Sequence, residues 1–264
     1  MIAVVYSLRN EVSDLMREME YRPLNGWGKM PRVYESSKLK NAILVEGGIG
    51  RDRAEAATRT VIAELKPKAV LSTGFAGGAR QTVGLGEVVL CKRLFSHVGP
   101  PALWTSAKPL ELKQPDDKLF KFVAESLRQA KIKHRIGDSL STMSLVSDPE
   151  TKKMIGIALE VDIVEMESYW VCKAASESGI PAIAIRVVLD TSGEDLPPFV
   201  AQSVESNGKG SVLKAIRYVA VNPFRAASLT RLARQSRQAQ KALSSALISA
   251  LNGLQTWEGA SAKV

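Results

Sequence analysis

The stretch from Asp162 to Leu196 constrains this chain most. It contains Val164-Glu165-Met166-Glu167-Ser168, then a helical segment, then Ile183-Ala-Ile-Arg186-Val-Val-Leu-Asp190. An acidic pair precedes a helix, and a further acid closes an apolar run that reads as a buried strand. Carboxylates at the strand ends of an open α/β sheet converge on the crevice where ligands bind. Acids delivered there suit proton transfer and hydroxyl recognition better than packing.

The remainder repeats the pattern. Met1–Tyr6, Asn41–Glu46, Ala69–Ser72, Gly86–Cys91 and His134–Ser141 read as strands, and Glu160–Met166 and Pro181–Asp190 complete the sheet. Glu11–Glu20, Arg51–Leu65, Asp117–Ala130 and Ser168–Ser178 carry helical periodicity, with Pro67 and Gly179 as stops. Strands alternating with helices imply a mainly parallel sheet covered on both faces. The expected fold class is α/β: a single domain with a central mixed, mainly parallel sheet flanked by helices, plus a C-terminal basic amphipathic helical extension. We divide it into a catalytic domain over 1–222 and the extension over 223–264.

The extension carries much of the net charge of +9: from Ser211 onward Glu258 is the one acid. A loop around Pro197-Pro198 and 206–210 leads to a helix over 211–221, a break at Asn222-Pro223, and a long helix from Ala226 to Leu254. Leu229, Leu232, Ala239, Leu243, Leu247, Leu251 and Leu254 fall near one face, while Arg225, Arg231, Arg234, Arg237 and Lys241 occupy much of the rest. Two readings stay open. Such a helix can rest on anionic headgroups, or its apolar face packs on the domain or on a second subunit while the arginines stay solvated. Nucleic acid is not an expected partner, because Tyr218 and Trp257 are isolated and offer no stacking series.

Other classes are disfavoured by what the chain lacks. No run approaches the ~18 apolar residues of a membrane span, and the opening Met1-Ile-Ala-Val-Val-Tyr6 reads as a strand, so a cytoplasmic protein is expected. Cys91 and Cys172 stand in no spacing motif and read as buried free thiols. His97 and His134 fit no triad or metal arrangement, and neither a dinucleotide Gly-x-Gly-x-x-Gly nor a Walker loop is present. No metal and no cofactor is expected.

Two glycine clusters follow strands, Gly47-Gly48-Ile49-Gly50 and Thr73-Gly74-Phe75-Ala76-Gly77-Gly78. Glycine lets backbone amides approach a ligand closely, although a tight turn explains each cluster taken singly. With Glu11, Glu165-Met166-Glu167 and Arg186-x-x-x-Asp190, they occur in an order that resembles the nucleoside phosphorylase/nucleosidase superfamily, most of all its methylthioadenosine/S-adenosylhomocysteine nucleosidases. The resemblance covers roughly Met1 to Pro198 and implies a phosphorylase-like α/β/α fold.

It also implies roles. Asp190 looks like the general acid that protonates the purine at N7. Glu167 looks like the acceptor for the ribose hydroxyls, with Met166 against the sugar, and Glu11 like the group that activates the attacking water. Leu145 and Val146 fall where the family reads the adenine edge with backbone groups. Glu165, Phe75, Ala76, Gly77, Ile49 and Leu8 complete the expected substrate-binding set. Each acid has a plainer reading: Glu11 and Glu167 as first-turn helix acids, Asp190 as a turn cap. Arg186, inside an apolar strand, reads as the ion-pair partner of a buried carboxylate. The family also implies a homodimer or higher homo-oligomer.

Two departures matter. Phe75 replaces the serine of the nucleosidases, and Leu71-Ser72-Thr73 has no arginine of the phosphorylase kind, leaving Arg9 and Arg51 as the nearby candidates for a phosphate co-substrate. Water is therefore the expected nucleophile. The C-terminal part is similar to the hopanoid-associated phosphorylase branch, which implies as an alternative a phosphorolytic enzyme acting on adenosylhopane, a nucleoside with a very hydrophobic 5′ group. That branch adds a peripheral position on the inner face of the membrane. A non-catalytic nucleoside- or membrane-binding protein is the remaining alternative.

Overall fold

The computed structural model describes residues 1–99, 108–113, 117–196 and 226–257. In chain order they form β1 (Ile2–Tyr6), α1 (Ser13–Glu18), β2 (Tyr21–Pro23), β3 (Arg32–Ser36), β4 (Ala42–Glu46), α2 (Arg51–Leu65), β5 (Ala69–Gly78) and β6 (Val88–His97). Then come β7 (Leu110–Lys113), α3 (Asp117–Gln129), β8 (His134–Thr142), α4 (Pro149–Ala158), β9 (Ile163–Glu165), α5 (Ser168–Glu177), β10 (Ala182–Asp190) and a C-terminal helix, α6 (Ala226–Gly253).

The strands make one mixed sheet in the order β10-β6-β8-β9-β5-β1-β4-β3-β2, with β7 on β6. Because β10 also pairs with β5, the strands β5, β9, β8, β6 and β10 close into a ring, and β1, β4, β3 and β2 extend from β5 as a wing. Pairing is parallel through β4, β1, β5 and β10 and again through β6, β8 and β9; it is antiparallel at β2–β3, β3–β4, β6–β7, β5–β9 and β6–β10.

Side-chain alternation along the strands gives the two covered faces their cores. Ile2, Val4 and Tyr6 of β1 and Ile183, Ile185 and Val187 of β10 share one cluster with Leu15 of α1, Leu119 and Leu127 of α3, and Leu243, Leu247 and Leu251 of α6. Ala3, Val5, Ala184 and Val188 point the other way, towards Ala54, Ala57 and Val61 of α2 and Trp170 and Cys172 of α5. By this alternation Arg186 lies on the α5 side, and that places it.

Helix α6 resolves the two readings of its apolar face. Ala239, Leu243, Ala246, Leu247, Ala250, Leu251 and Leu254 are fully buried in the main core, against α1, α3 and β10. Gly253 comes so close to α3 that a Cβ there would lie 2.1 Å from Ser126 Oγ. Arg231, Arg234, Arg237 and Lys241 are exposed. Among the described residues, no helix is long and apolar enough to cross a membrane.

Some boundaries differ from expectation. β5 continues through the Thr73–Gly78 glycines, which therefore form a strand rather than a turn, and β6 runs on to His97. Neighbours on both sides supply the pairing that glycine's low strand propensity opposes. Helix α1 begins at Ser13, leaving Glu11 in the turn before it. The short strands β2, β3 and β7 and the helix α4 were not expected. Pro197-Pro198, the loop 206–210, the helix 211–221, the break Asn222-Pro223 with the 222/223 boundary, Arg225, Glu258 and the side chain of Leu229 lie outside the described residues.

Candidate active site

Parallel pairing of β1 with β5 brings the turn after β1 beside the upper half of β5. Glu11, buried in that turn, accepts the amide N–H groups of Ser7 and Leu8 on Oε2 at 3.0 and 2.8 Å and that of Phe75 on Oε1 at 3.0 Å. Burial raises its pKa, and those amides and the Arg186 charge oppose the rise.

Gly74 permits this approach. A Cβ at this position, where φ is +149°, would lie 2.6 Å from Glu11 Oε1 and 2.7 Å from Arg186 Nη1. No side chain fits there. The glycine thus holds open the space in which carboxylate and guanidinium meet the β5 backbone.

Arg186 is fully buried. Its Nη2 lies 2.8 Å from Glu165 Oε2 and donates to Ser72 Oγ at 3.0 Å. Nε donates to Ser168 Oγ at 2.8 Å and Nη1 to Glu167 Oε2 at 3.4 Å. Burial works against the charge, but Glu165, Glu167 and Glu11 together raise its pKa. The expected ion pair exists, with two carboxylates sharing the cation.

The two glutamates flanking Met166 behave differently. Both oxygens of Glu165 are taken by protein donors: Oε1 by the hydroxyls of Ser139 and Ser141, Oε2 by Arg186 and by the N–H groups of Glu167 and Ser168 at 2.9 and 2.7 Å. Burial would raise its pKa, but Arg186, the Ser141 hydroxyl and these first amides of α5 hold it low. Glu165, expected in the substrate-binding set, turns its carboxylate inward because these donors saturate it. Glu167 has fewer partners. Its Oε1 accepts the Gly50 N–H at 3.0 Å, and burial, reinforced by the Glu165 and Glu11 charges against Arg186, pushes its pKa up to about 7. The half-buried Met166 reaches back to the same loop, its Cε 4.0 Å from where a Gly50 Cβ would stand.

Asp190 ends β10 opposite Gly77 of β5, two residues beyond the Phe75 amide that Glu11 holds, or roughly 7 Å along the strand. A Cβ on Gly77 would be 3.3 Å from Asp190 Oδ2. The carboxyl is buried, and burial pushes its pKa up to about 6 against the pull of Lys152. Lys152, fully buried on α4, donates to Asp190 Oδ2 at 2.6 Å, to the Glu194 carbonyl at 2.6 Å and to the Thr191 carbonyl at 3.0 Å. Sequence reasoning missed this lysine. The signal was the N-cap signature Asp148-Pro149, which the structure uses: Asp148 Oδ2 accepts the Thr151 N–H at 2.7 Å.

Leu8 contributes its amide to Glu11, and Ile49 is half-buried in the loop that carries Gly50. The half-buried Phe75 packs on the main core and the buried Ala76 on the second. Leu145 is half-buried after β8. Val146 turns its side chain into a small cluster with Ala79, Leu140, Ile155, Val161 and Val164. His134 Nδ1 lies 2.9 Å from the Ile132 carbonyl, and His97 Nδ1 accepts the Gly99 N–H at 3.2 Å. Among the described residues no cluster of histidine, cysteine and acidic side chains could hold a metal.

A family model described as the Phosphorylase superfamily matches residues 2–249. The chain is 27% identical over 214 residues to a 5′-methylthioadenosine/S-adenosylhomocysteine nucleosidase of Lysinibacillus sphaericus, covering 74% of this chain and 87% of that one. Among solved structures, the nucleosidase of the same name from Colwellia psychrerythraea, in complex with adenine, superposes with a TM-score of 0.69 at 18% identity over 96% of this chain and 95% of that one. A futalosine hydrolase mutant of Helicobacter pylori gives 0.67 at 16% identity over 94% and 98%. The fold is shared with both.

Proposed function

The chain belongs to the Phosphorylase superfamily, and from that premise we propose that it is an enzyme cleaving the N-glycosidic bond of an adenine nucleoside, with water as the nucleophile and free adenine as a product. The observation that carries this is the pair of buried carboxyls poised near neutrality, Asp190 at about 6 at the end of β10 and Glu167 at about 7 at the start of α5, with Glu11 in the turn after β1 held on the β5 backbone.

The chemistry needs both halves of that arrangement. As the bond breaks, its electron pair goes to the purine, and a proton from Asp190 to N7 makes adenine a neutral leaving group. With a pKa of about 6, roughly a tenth of Asp190 is protonated at pH 7. Positive charge builds on the sugar. Glu11 and Glu167 stabilise it, Glu167 by accepting hydrogen bonds from the ribose hydroxyls and Glu11 by taking the proton of the attacking water. Leu145 and Val146 present backbone groups to the adenine edge, and Met166 packs on the sugar.

Water is favoured over phosphate by charge. Among the described residues around Gly74, Arg186 is one cation against Glu11, Glu165 and Glu167. A phosphate dianion entering that cluster meets no uncompensated cation, because Glu165 neutralises Arg186 and Glu11 and Glu167 add negative charge as they ionise. The phosphorolytic reading has a candidate cation in Arg51, whose guanidinium lies over Trp170 at 4.3 Å at the start of α2.

The 5′ substituent is apolar in this reading, supported by Phe75, which puts a ring where the family pattern has a hydroxyl. For a lipid-tailed nucleoside such as adenosylhopane, the exposed Arg231, Arg234, Arg237 and Lys241 offer contact with anionic headgroups. The active form is a homodimer or higher homo-oligomer.

Release of adenine from methylthioadenosine and from 5′-alkylthio analogues of increasing length, with and without phosphate, tests the proposal. The expected products are adenine and the free sugar at equal rates in both buffers, with preference for longer tails. Strict phosphate dependence and a sugar 1-phosphate product would replace hydrolysis by phosphorolysis. Full activity in both D190N and E167Q would refute the site.

A further inference from the structure

Lys152 is the most deeply buried cation that the reaction so far leaves unused. Burying an ammonium group is expensive unless every N–H finds a partner. All three do: Asp190 Oδ2 at 2.6 Å, the Glu194 carbonyl at 2.6 Å and the Thr191 carbonyl at 3.0 Å. Two neutral carbonyls and one carboxyl are a set chosen for orientation. They fix the lysine on Asp190 and bind it to the loop that follows β10.

The surroundings make the pairing specific. Position 152 faces inward because α4 packs tightly on the end of β5, where a Cβ at Gly156 would fall 2.3 Å from the Ala79 carbonyl oxygen. The charged groups that face Asp190 are Lys152 from α4 and Glu194 from the loop. Glu194 is itself held at a distance by the N–H and hydroxyl of Thr191 at 2.9 and 3.2 Å and by Gln235 of α6 at 2.6 Å, and it feels the Arg231 charge. Lys152 is thus the one cation in direct contact with the acid among the described residues.

We propose that Lys152 is a positioning residue for the proton transfer: it orients Asp190 and stabilises the carboxylate that remains once the proton has passed to the purine. The inference rests on Asp190 being the general acid. The step balances without a further reactant. The O–H bond of Asp190 breaks and N7–H forms, the C–N electron pair leaves with adenine, and the negative charge left on Asp190 lies against the Lys152 ammonium, which keeps its own proton. An acid in an apolar pocket without such a partner is too weak to give its proton up, whereas a fixed donor is already oriented when the charge appears.

The test compares K152M and K152Q with the unsubstituted protein in adenine release across pH, with D190N as control. With the cation gone, burial acts on Asp190 unopposed, so its pKa rises. The alkaline limb of kcat then moves upward by about one pH unit or more, while kcat at its plateau falls by about tenfold or more and KM changes little. A purely structural lysine would lower thermal stability and leave the limb in place, and that result overturns the inference. In D190N, loss of activity leaves the acid assignment standing and this comparison decides on Lys152; retained activity defeats the acid assignment itself. Should both lysine variants fail to fold, infrared difference spectra of the unsubstituted protein against D190N supply the second readout. A carboxylic-acid band lost with a midpoint near 6 supports the ion pair, and a midpoint well above neutrality overturns it.

Discussion

Replacing Glu167 with glutamine removes an ionisable group and one acceptor: the amide keeps the shape and its oxygen still accepts the Gly50 N–H, while its NH2 faces the Arg186 Nη1 that Oε2 accepted, a loss that is the same at every pH. Burial moves this carboxyl from an ordinary 4.5 to about 7. At about 1.4 kcal/mol for each unit, ionised Glu167 costs the folded state about 3 kcal/mol relative to the unfolded chain. The sign follows from the direction. A carboxyl raised on folding leaves stability intact below its unfolded value and removes it as pH climbs through the folded one. The unsubstituted protein therefore loses up to about 3 kcal/mol through Glu167 between about pH 4 and pH 8. E167Q loses none by this route, and the similar contribution of Asp190 is common to both proteins and cancels. Urea titrations of each protein at the two pH values measure this. Relative to the parent, E167Q should gain at most about 3 kcal/mol on going to the higher pH. Adenine release should fall by about tenfold or more at the same time. An offset between the proteins that is unchanged from acid to alkaline pH would refute the claim that burial governs this carboxyl.

Three further outcomes follow from the geometry. G74A drives a Cβ to 2.6 Å from Glu11 Oε1 and 2.7 Å from Arg186 Nη1, so activity should collapse and stability fall by about 1–3 kcal/mol; a thermal melt and an adenine assay identical to the parent would contradict the crowding. L251A empties a fully buried position of α6 in the main core and should cost about 2–5 kcal/mol in a urea titration, whereas a helix standing free of the domain would tolerate it. On the proposed contact between anionic headgroups and the exposed basic face of α6, glutamate at Arg231, Arg234, Arg237 and Lys241 should leave the melting temperature within a few degrees and abolish sedimentation with anionic vesicles; unchanged sedimentation would rule that face out.

The parts of this fold that were legible from sequence are those where one residue's neighbours along the chain decide its environment. Ile2 to Tyr6 and Ala182 to Asp190 are apolar on both faces because both faces are covered, and the runs announce it. Glu167 and Asp190 stood out because an acid beside such a run needs a reason, and Glu11 came in with the family resemblance. What the sequence concealed depends on distant pairing. Nothing local shows that β10 joins β5 and β6 at once and closes the ring, or that glycines 74, 77 and 78 are strand residues. Helix α4 was hidden by Gly156, a poor helix former kept for its close approach to Ala79, and nothing local tells the adjacent Lys152 and Lys153 apart. One of the two is the most buried lysine in the site. The leucines of α6 were visible, but hydrophobic periodicity says that a face needs a partner without saying which, and the domain core proved to be that partner.

Coordinates of the protein crystallised with adenine would decide whether Asp190, Glu11 and Glu167 serve one glycosidic bond. An Asp190 oxygen should lie within hydrogen-bond distance of purine N7 and still touch Lys152, with Glu11 and Glu167 lining the space beyond the glycosidic nitrogen. Adenine bound with N7 facing any other group, or with those two glutamates turned away from it, would overturn the assignment of all three acids.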